Sequence, residues 1–418
     1  TGDTVTTDAT AMADNIVLTV DGAGSHVVTN LQGDLTRDNA ASGDLSVTTA
    51  AVATVTVAFG SNTGGTQSVD ASALTDAQVL TISGTDAIAV TLVAGDLTST
   101  ATGGVTATAA AGTSVITTAG GDDTITGGAG GDALTGGGGS DTYVYNGTAD
   151  LDASESITEL AVAGTDVISV TADTNFANLT VASFNQIEEI KLAGAITATF
   201  TGAQLTGETK SLVGATGTVQ NIVVTAVAGG TTNLSAFTAG TNFTSGTDTV
   251  TVNGSAGNEV ITGTAAADTI NTGNGVDTVN AATGALVTAD TVTGGTGAQT
   301  LVITAADTGI VDANFTNVTL FETLTLTGAS TAVLDTLFND SGIATINTGA
   351  GATSLDVTTD AAVAVVSNVA DGVALALDGT TNYTVTTLSG DLTRNNAANG
   401  DLSVTTAAVA TVTVAFGS

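Results

Sequence analysis

Asp123, Asp132 and Asp141 recur at intervals of nine, and each is followed two residues later by a large apolar side chain, Ile125, Leu134 or Tyr143. From Thr118 to Val144 the chain divides into nines as TAGGDDTIT, GGAGGDALT and GGGGSDTYV. Carboxylates offer hard oxygen ligands. Glycine tolerates positive φ and lets backbone carbonyls approach an ion closely, which suits Gly121, Gly127, Gly128, Gly130, Gly136, Gly137 and Gly139 to the turns. If each nine contributes one turn and one short strand, stacked coils bring equivalent aspartates to about 4.8 Å from one another. Such a row needs cations between its members. Ca2+, with roughly six to eight oxygen ligands, fits carboxylates supplemented by carbonyls. The candidate metal residues are therefore Asp123, Asp132 and Asp141, with Gly121, Gly128, Gly130, Gly137 and Gly139 in their turns.

A second, degenerate block reads GSAGNEVIT, GTAAADTIN and TGNGVDTVN from Gly254 to Asn280. Glu259, Asp268 and Asp277 take the acidic position, and Ile261, Ile270 and Val279 point inward. After a four-residue insertion come Asp290-Thr291-Val292 and then GGTGAQTLV, with Gln299 in the acidic place. Asp268, Asp277 and Asp290 are candidate ligands here. The missing glycines make an uncharged solenoid rung an equal reading. Upstream of the first block, Ala109 to Thr117 keeps the nine-residue phase with Ser114 in the acidic place, which extends the coil without a metal. Downstream, Glu159 and Gly164-Thr165-Asp166-Val167-Ile168 read as a capping segment in which Asp166 could add a ligand.

The elements that must hold these residues read as strands. Val, Ile and Leu alternate with Thr, as in Thr54-Val55-Thr56-Val57 and Thr323 to Thr327, while Gly, Asn and Asp interrupt every nine to twelve residues. Helix signals are weak, with single turns conceivable at Ala71 to Val79 and Ala332 to Phe338. Leu31 to Ser61 returns as Leu388 to Ser418 at a spacing of 357, differing only at positions 32, 38 and 42. A shorter duplication relates Glu188 to Gly194 (EEIKLAG) to Glu322 to Gly328 (ETLTLTG), each an acidic-apolar, hairpin-like segment that follows a nonapeptide block. The expected divisions are 1–108, a Thr/Val-rich β-repeat segment; 109–144, the first roll; 145–253, strand repeats with the capping segment; 254–302, the degenerate roll; 303–357, strand repeats; and 358–418, the start of the next long repeat.

Composition excludes several classes. Forty acids stand against four Lys and Arg, a net charge of −36. At most four acids can find a basic partner, and such a polyanion repels phosphate backbones and anionic lipid heads, so neither nucleic acid nor a membrane surface is expected as partner. The absence of Cys removes disulfides, thiolate metal sites and a cysteine nucleophile. The longest uncharged stretch, Ser211 to Thr247, is broken by Gly and polar residues, so no membrane-spanning helix is expected. Thr1 opens the chain without the basic and apolar regions of a Sec signal.

Catalytic patterns are missing. The one histidine, His26, aligns with Tyr383 in the long repeat, which suits a half-exposed strand residue, and a single His cannot supply H-E-x-x-H. Arg37 and Arg394 are equivalent, so each reads as a tie to an acidic turn or to a neighbouring subunit. Thirteen aromatics in 418 residues hardly furnish sugar-binding platforms. Local T-x-T rows would fit ice ordering. Their spacing is irregular, and any strand with one wet face shows them.

Residues 127–135 and 136–144 satisfy G-G-x-G-x-D-x-U-x at each fixed position and so resemble the RTX calcium-binding repeat. The expected fold is all-β, with parallel β-solenoid and β-roll coils plus additional β-strand repeats in an elongated rod. The resemblance implies Ca2+ as the bound ion, secretion by a type I system, folding in extracellular calcium and a place at the bacterial cell surface. It implies a non-enzymatic structural role like that of RTX-bearing S-layer proteins: self-assembly into a sheet or fibre through identical subunits or tandem repeats, with cell-surface polysaccharide as a further partner. The alternative is a stalk or binding module of a giant RTX adhesin.

Overall fold

A computed structural model describes residues 4–416 apart from 15, 23, 38–42, 62–64, 161–163, 283, 285, 305, 328–329, 349–353, 358–364, 368, 370–372, 378–381, 395–400 and 408–411. The period-two alternation becomes strand in the segments that carry the site. In Leu45–Thr49 the burial alternates with each residue, and in Thr54–Ala58 Val55 and Val57 are buried while the threonines face out. Strand pairing among the described residues is parallel, so no two-residue hairpin can join neighbours, and the chain must cross to an opposite face and return.

The chain divides into two compact units. In the first, residues 1–199 with 210–220 and 240–242, successive strands alternate between two sheets. One sheet takes Gln67–Asp70, Ile88–Thr91, Val105–Thr108, Thr124–Thr126, Thr142–Tyr145, Val167–Val170 and Glu189–Leu192 in that order. The other takes Val79–Ser83, Asp96–Ser99, Val115–Thr117, Ala133–Thr135 and Ser156–Thr158. This is a parallel β-solenoid. Register aligns one inward residue per coil into a continuous column, Val69, Val90, Ala107, Ile125, Tyr143 and Ile168, each buried against the next.

The second unit, residues 200–209, 221–239 and 243–418, repeats the scheme. Val260–Thr262, Thr278–Ala281, Thr300–Ile303 and Thr323–Leu326 stack on one side, and Thr249–Ser255, Asp268–Gly273 and Thr291–Thr293 stack on the other. Further along, Thr331–Leu334, Ser354–Val357 and Ala374–Leu377 build a separate sheet.

The structure changes several expectations. Coils of two nines, as from Thr124 to its partner Thr142, mark the nonapeptide blocks. Elsewhere Tyr143 pairs with Ile168, Ile168 with Ile190 and Asn221 with Thr249, and the extra residues form turns such as Thr148–Asp150 in the first of these coils and Phe176–Asn178 and Val181–Phe184 in the second. The duplicated acidic-apolar segments are not hairpins. Glu189–Leu192 and Thr323–Leu326 are single strands in parallel ladders. The stretch read as a cap carries the solenoid onward, because Val167–Val170 pairs with Thr142–Tyr145 before it and Glu189–Leu192 after it. Ala71 to Val79 forms turns leading into a strand, and Thr331–Leu334 is a strand. Ser211 to Thr247 is strands and turns, and among the described residues no helix is long and apolar enough to cross a membrane.

The long repeat reproduces fine detail. A register shift after Val28 recurs after Val385, where Asn30 and Thr387 share a left-handed φ of 57° and 55°. The Thr56 N–H donates to Asp34 Oδ1 at 2.9 Å, as the equivalent Thr413 does to Asp391 at 3.2 Å. Arg37 and Arg394 are both buried. Arg37 Nη1 donates to the Gly43 carbonyl and to Gln67 Oε1, so its tie is to a loop carbonyl and an amide. His26 is half-buried on Ser25–Leu31, whereas its counterpart Tyr383 is fully buried. Parts of both copies lie outside the described residues.

The column of inward residues gives a direct test. Ile125→Ala should destabilise the calcium-loaded protein by about 2–5 kcal/mol in a denaturant melt. The neighbouring outward Thr124→Ala should change it by about 0.5 kcal/mol or less.

Candidate metal centre

In the first block each coil offers two turns. Strand Val115–Thr117 leads through residues 118–123 into Thr124–Thr126, which leads through 127–132 into Ala133–Thr135, which leads through 136–141 into Thr142–Tyr145. Asp123, Asp132 and Asp141 close these three turns and are all buried. Each uses one carboxylate oxygen in the same way. Asp123 Oδ1 accepts from Val105 N–H at 2.6 Å, Asp132 Oδ1 from Ser114 N–H at 2.7 Å, and Asp141 Oδ1 from Asp123 N–H at 2.8 Å, each across 18 residues. Every aspartate thus staples its turn to the preceding coil. Ser114, in the acidic place upstream, receives no carboxylate role but presents its amide to Asp132.

The second oxygen differs. Oδ2 of Asp123, Asp132 and Asp141 is buried with no hydrogen-bond partner. An ionised oxygen left so in a protein interior is costly unless a cation or proton meets it. The turn glycines serve the close stacking of the coils and, at two of the three aspartates, border this oxygen. Gly121, Gly128, Gly130, Gly137 and Gly139 have φ between 86° and 147°, which other residues rarely adopt. Gly127 and Gly136 do not need positive φ, contrary to expectation; they need room. A Cβ on Gly127 would stand 2.5 Å from Asp132 Oδ2, and one on Gly136 would stand 2.3 Å from Asp141 Oδ2. Unshared carboxylate oxygens beside bare glycine backbone fit a hard cation, and these aspartates with the surrounding carbonyls are the groups that would hold Ca2+.

Past the third nine, the ladder continues on residues that the repeat pattern does not contain. Asp141 N–H donates to Asp166 Oδ1 at 2.8 Å, and Asp166 N–H to Glu188 Oε2 at 2.8 Å. On the other turn, Asp132 N–H donates to Glu155 Oε2 at 2.8 Å. Two core tyrosines reach the new glutamates: Tyr145 Oη donates to Glu155 Oε1 at 3.0 Å, and Tyr143 Oη donates to Glu159 Oε1. Tyr145 also packs edge-on against Phe176 at 5.3 Å between ring centroids. Buried Lys210 donates to the carbonyls of Phe184 and Ile187, fixing the turn that presents Glu188. Sequence reasoning missed Glu155, Glu188 and Lys210 as parts of this assembly. The signal was present in the duplication, since Glu188 and Glu322 end equivalent ladders.

The second block is wired differently. Glu259 N–H donates to Asp277 Oδ1, Asp277 N–H to Gln299 Oε1, and Gln299 N–H to Glu322 Oε2. Gln299 therefore performs the stapling with a neutral oxygen. Asp268 accepts from Thr264 N–H and Oγ1, and Asp290 accepts from Asp268 N–H and Val287 N–H, so hydrogen bonds reach both oxygens of each. Only Asp277 keeps a buried, unpartnered Oδ2 among these candidates.

The electrostatics follow. Burial, only partly offset by amide hydrogen bonds, raises Asp132 and Asp141 to about 6, and burial against Asp141 and Asp166 raises Glu159 to about 7. Glu155, buried beside Asp132, rises from the ordinary glutamate value of 4.5 to about 8. Asp123, Asp166 and Asp277 are also raised by burial, Asp268 to about 7 and Asp290 to about 6. Glu259 is the exception. Burial pushes it up, but hydrogen bonds from Gly229 and Ser255 outweigh this and hold it below its usual range.

Fold and site together define a calcium-binding β-solenoid repeat protein. The RTX calcium-binding nonapeptide repeat matches residues 108–147 and 253–285, in four copies. These repeats bind Ca2+ and are typical of secreted proteins. No curated protein and no solved structure matches the chain significantly.

Two outcomes are expected. Gly136→Ala should raise the calcium concentration needed for folding, followed by circular dichroism, whereas Gly120→Ala, whose Cβ would meet only Gly138 O at 3.9 Å, should leave it unchanged. The raised carboxyls hold protons to higher pH in the folded chain than in the unfolded one. The metal-free fold is therefore stabilised in acid and loses that contribution as pH rises through about 6 to 8. In chelator the melting temperature should fall between about pH 5 and about pH 8, and saturating calcium should flatten or reverse the slope. A melting temperature that climbs with pH in chelator contradicts this account.

Proposed function

We propose that this chain is a calcium-stabilised structural repeat of a self-assembling bacterial surface layer, matrix or filament. The observation that carries the reading is the long repeat, whose two copies share a register shift, a left-handed residue and an aspartate staple. A sequence that rebuilds the same coil at so long an interval suits an array of like units. Solenoids of RTX repeats are typically non-enzymatic, and exposed strand edges offer backbone donors and acceptors to a further copy.

Calcium suits this role because it couples folding to the extracellular side. The ion binds the ordered turns far better than the unfolded chain, so the fold gains stability where calcium is plentiful. Inside the cell, the uncompensated carboxylates oppose that fold and favour an export-competent chain. Identical subunits or tandem units would then associate at the cell surface, with polysaccharide as an anchoring partner.

Purified protein given millimolar calcium should form ordered sheets or fibres under electron microscopy and return to dispersed chains in EGTA. Protein that folds with calcium yet stays monomeric, while binding a glycan or a surface, would instead support the stalk of an adhesin.

A further inference from the structure

The matched repeat residues of the first block end at 147, but the stacking of turns continues beyond them. Register sets Ala133, Leu134 and Thr135 against Ser156, Ile157 and Thr158, so Glu159 stands over Gly136 as the first residue of its turn. One coil earlier, Thr118 holds the same place and donates its hydroxyl to Gly136 O at 2.6 Å. A glutamate thus replaces a residue that contributes at most a hydroxyl.

Gly136 has no side chain, and the space a Cβ would fill is shared by two carboxylate oxygens: Asp141 Oδ2 lies 2.3 Å and Glu159 Oε1 2.4 Å from that point. Asp141 is wholly buried, and this Oδ2 has no hydrogen-bond partner. Asp166 completes the group, with one oxygen from each of Asp141, Glu159 and Asp166 lying within 4.8 Å of the others.

We propose that Asp141, Glu159 and Asp166 form an additional binding site for a hard cation of the Ca2+ class, set on the last turn of the first block and completed by two side chains from outside the nonapeptide repeats. The site rests on the reading of the first block as calcium-binding and adds one ion to it. With three carboxylates over two stacked turns, where two stacked repeat turns such as those of Asp123 and Asp141 supply two, it carries more negative charge than the repeat sites and should fill at lower calcium, since ligand charge count sets affinity. It also lies where the coils grow longer than two nines, so its ion would hold the junction between the regular roll and the wider coils.

The tyrosines make the site observable. The chain has three Tyr and no Trp, and the Tyr143 hydroxyl rests on Glu159. Terbium titrated into the full chain should show tyrosine-sensitised emission at the first equivalent. Glu159→Gln and Asp166→Asn should each abolish that first-equivalent emission and remove one calcium ion per chain in calorimetry, with the remaining ions still bound. If Glu159→Gln does not regain the wild-type circular dichroism in calcium, Glu159→Asp decides: it should keep the ion count and weaken the first terbium step. Unchanged stoichiometry and emission in these variants would overturn the added site alone. A wild-type chain that binds no calcium would overturn the underlying reading with it.

Discussion

Everything in this fold depends on how a turn disposes of its backbone amides. Parallel ladders satisfy the strands, but at each corner the chain leaves the ladder, and a buried N–H without an acceptor is costly. Side-chain oxygens of adjacent coils supply the acceptors. Asp34, Asp44, Asp96, Asp122 and Asp173 accept from amides of the following coil. Asp123, Asp132, Asp141, Asp166 and Glu188 accept from the preceding one. Bonds from an amide to a charged acceptor are stronger than neutral ones, which favours aspartate over asparagine at such corners. These ten of the forty acids thus have backbone amides as partners in a chain with only four Lys and Arg.

The same device creates the need for metal. A staple uses one oxygen of a carboxylate and leaves the other to its surroundings. Where the corner is open, as at exposed Asp44, the second oxygen is left on the solvent side. Where glycine-rich turns stack tightly, as at Asp123, Asp132 and Asp141, it is buried and unpartnered. Replacing the acid with a neutral oxygen, as Gln299 does, or hydrogen-bonding both oxygens, as at Asp268 and Asp290, meets the same demand without an ion. The second block mixes these solutions, with Asp277 alone of its candidates keeping a buried, unpartnered oxygen, whereas the first leaves one such oxygen on each of its three repeat aspartates for a cation to meet.

Much of this was legible in the residues. The nine-residue interval located the turns, their acids and the inward Ile125, Leu134 and Tyr143, because periodicity reports directly on which side chains share a face. The distinction between glycines needed for positive φ and Gly127 and Gly136, needed for space, was not legible, because it depends on where a neighbouring turn puts its carboxylate. The hairpin-like reading of EEIKLAG failed for a related reason: local alternation fixes a strand but says nothing of its partner's direction.

By itself the sequence determined the strand composition, the parallel roll implied by the nonapeptides, the calcium chemistry and the long repeat that returns Leu31 to Ser61 as Leu388 to Ser418, since each is written in local spacing or in plain self-similarity. Tertiary structure decided what no spacing contains. Glu155, Glu159, Asp166 and Glu188 lie at irregular intervals, yet the coil register brings them onto the same corners as the repeat aspartates. Coil length varies outside the blocks while stacking does not, so residues equivalent in space lose their period in sequence.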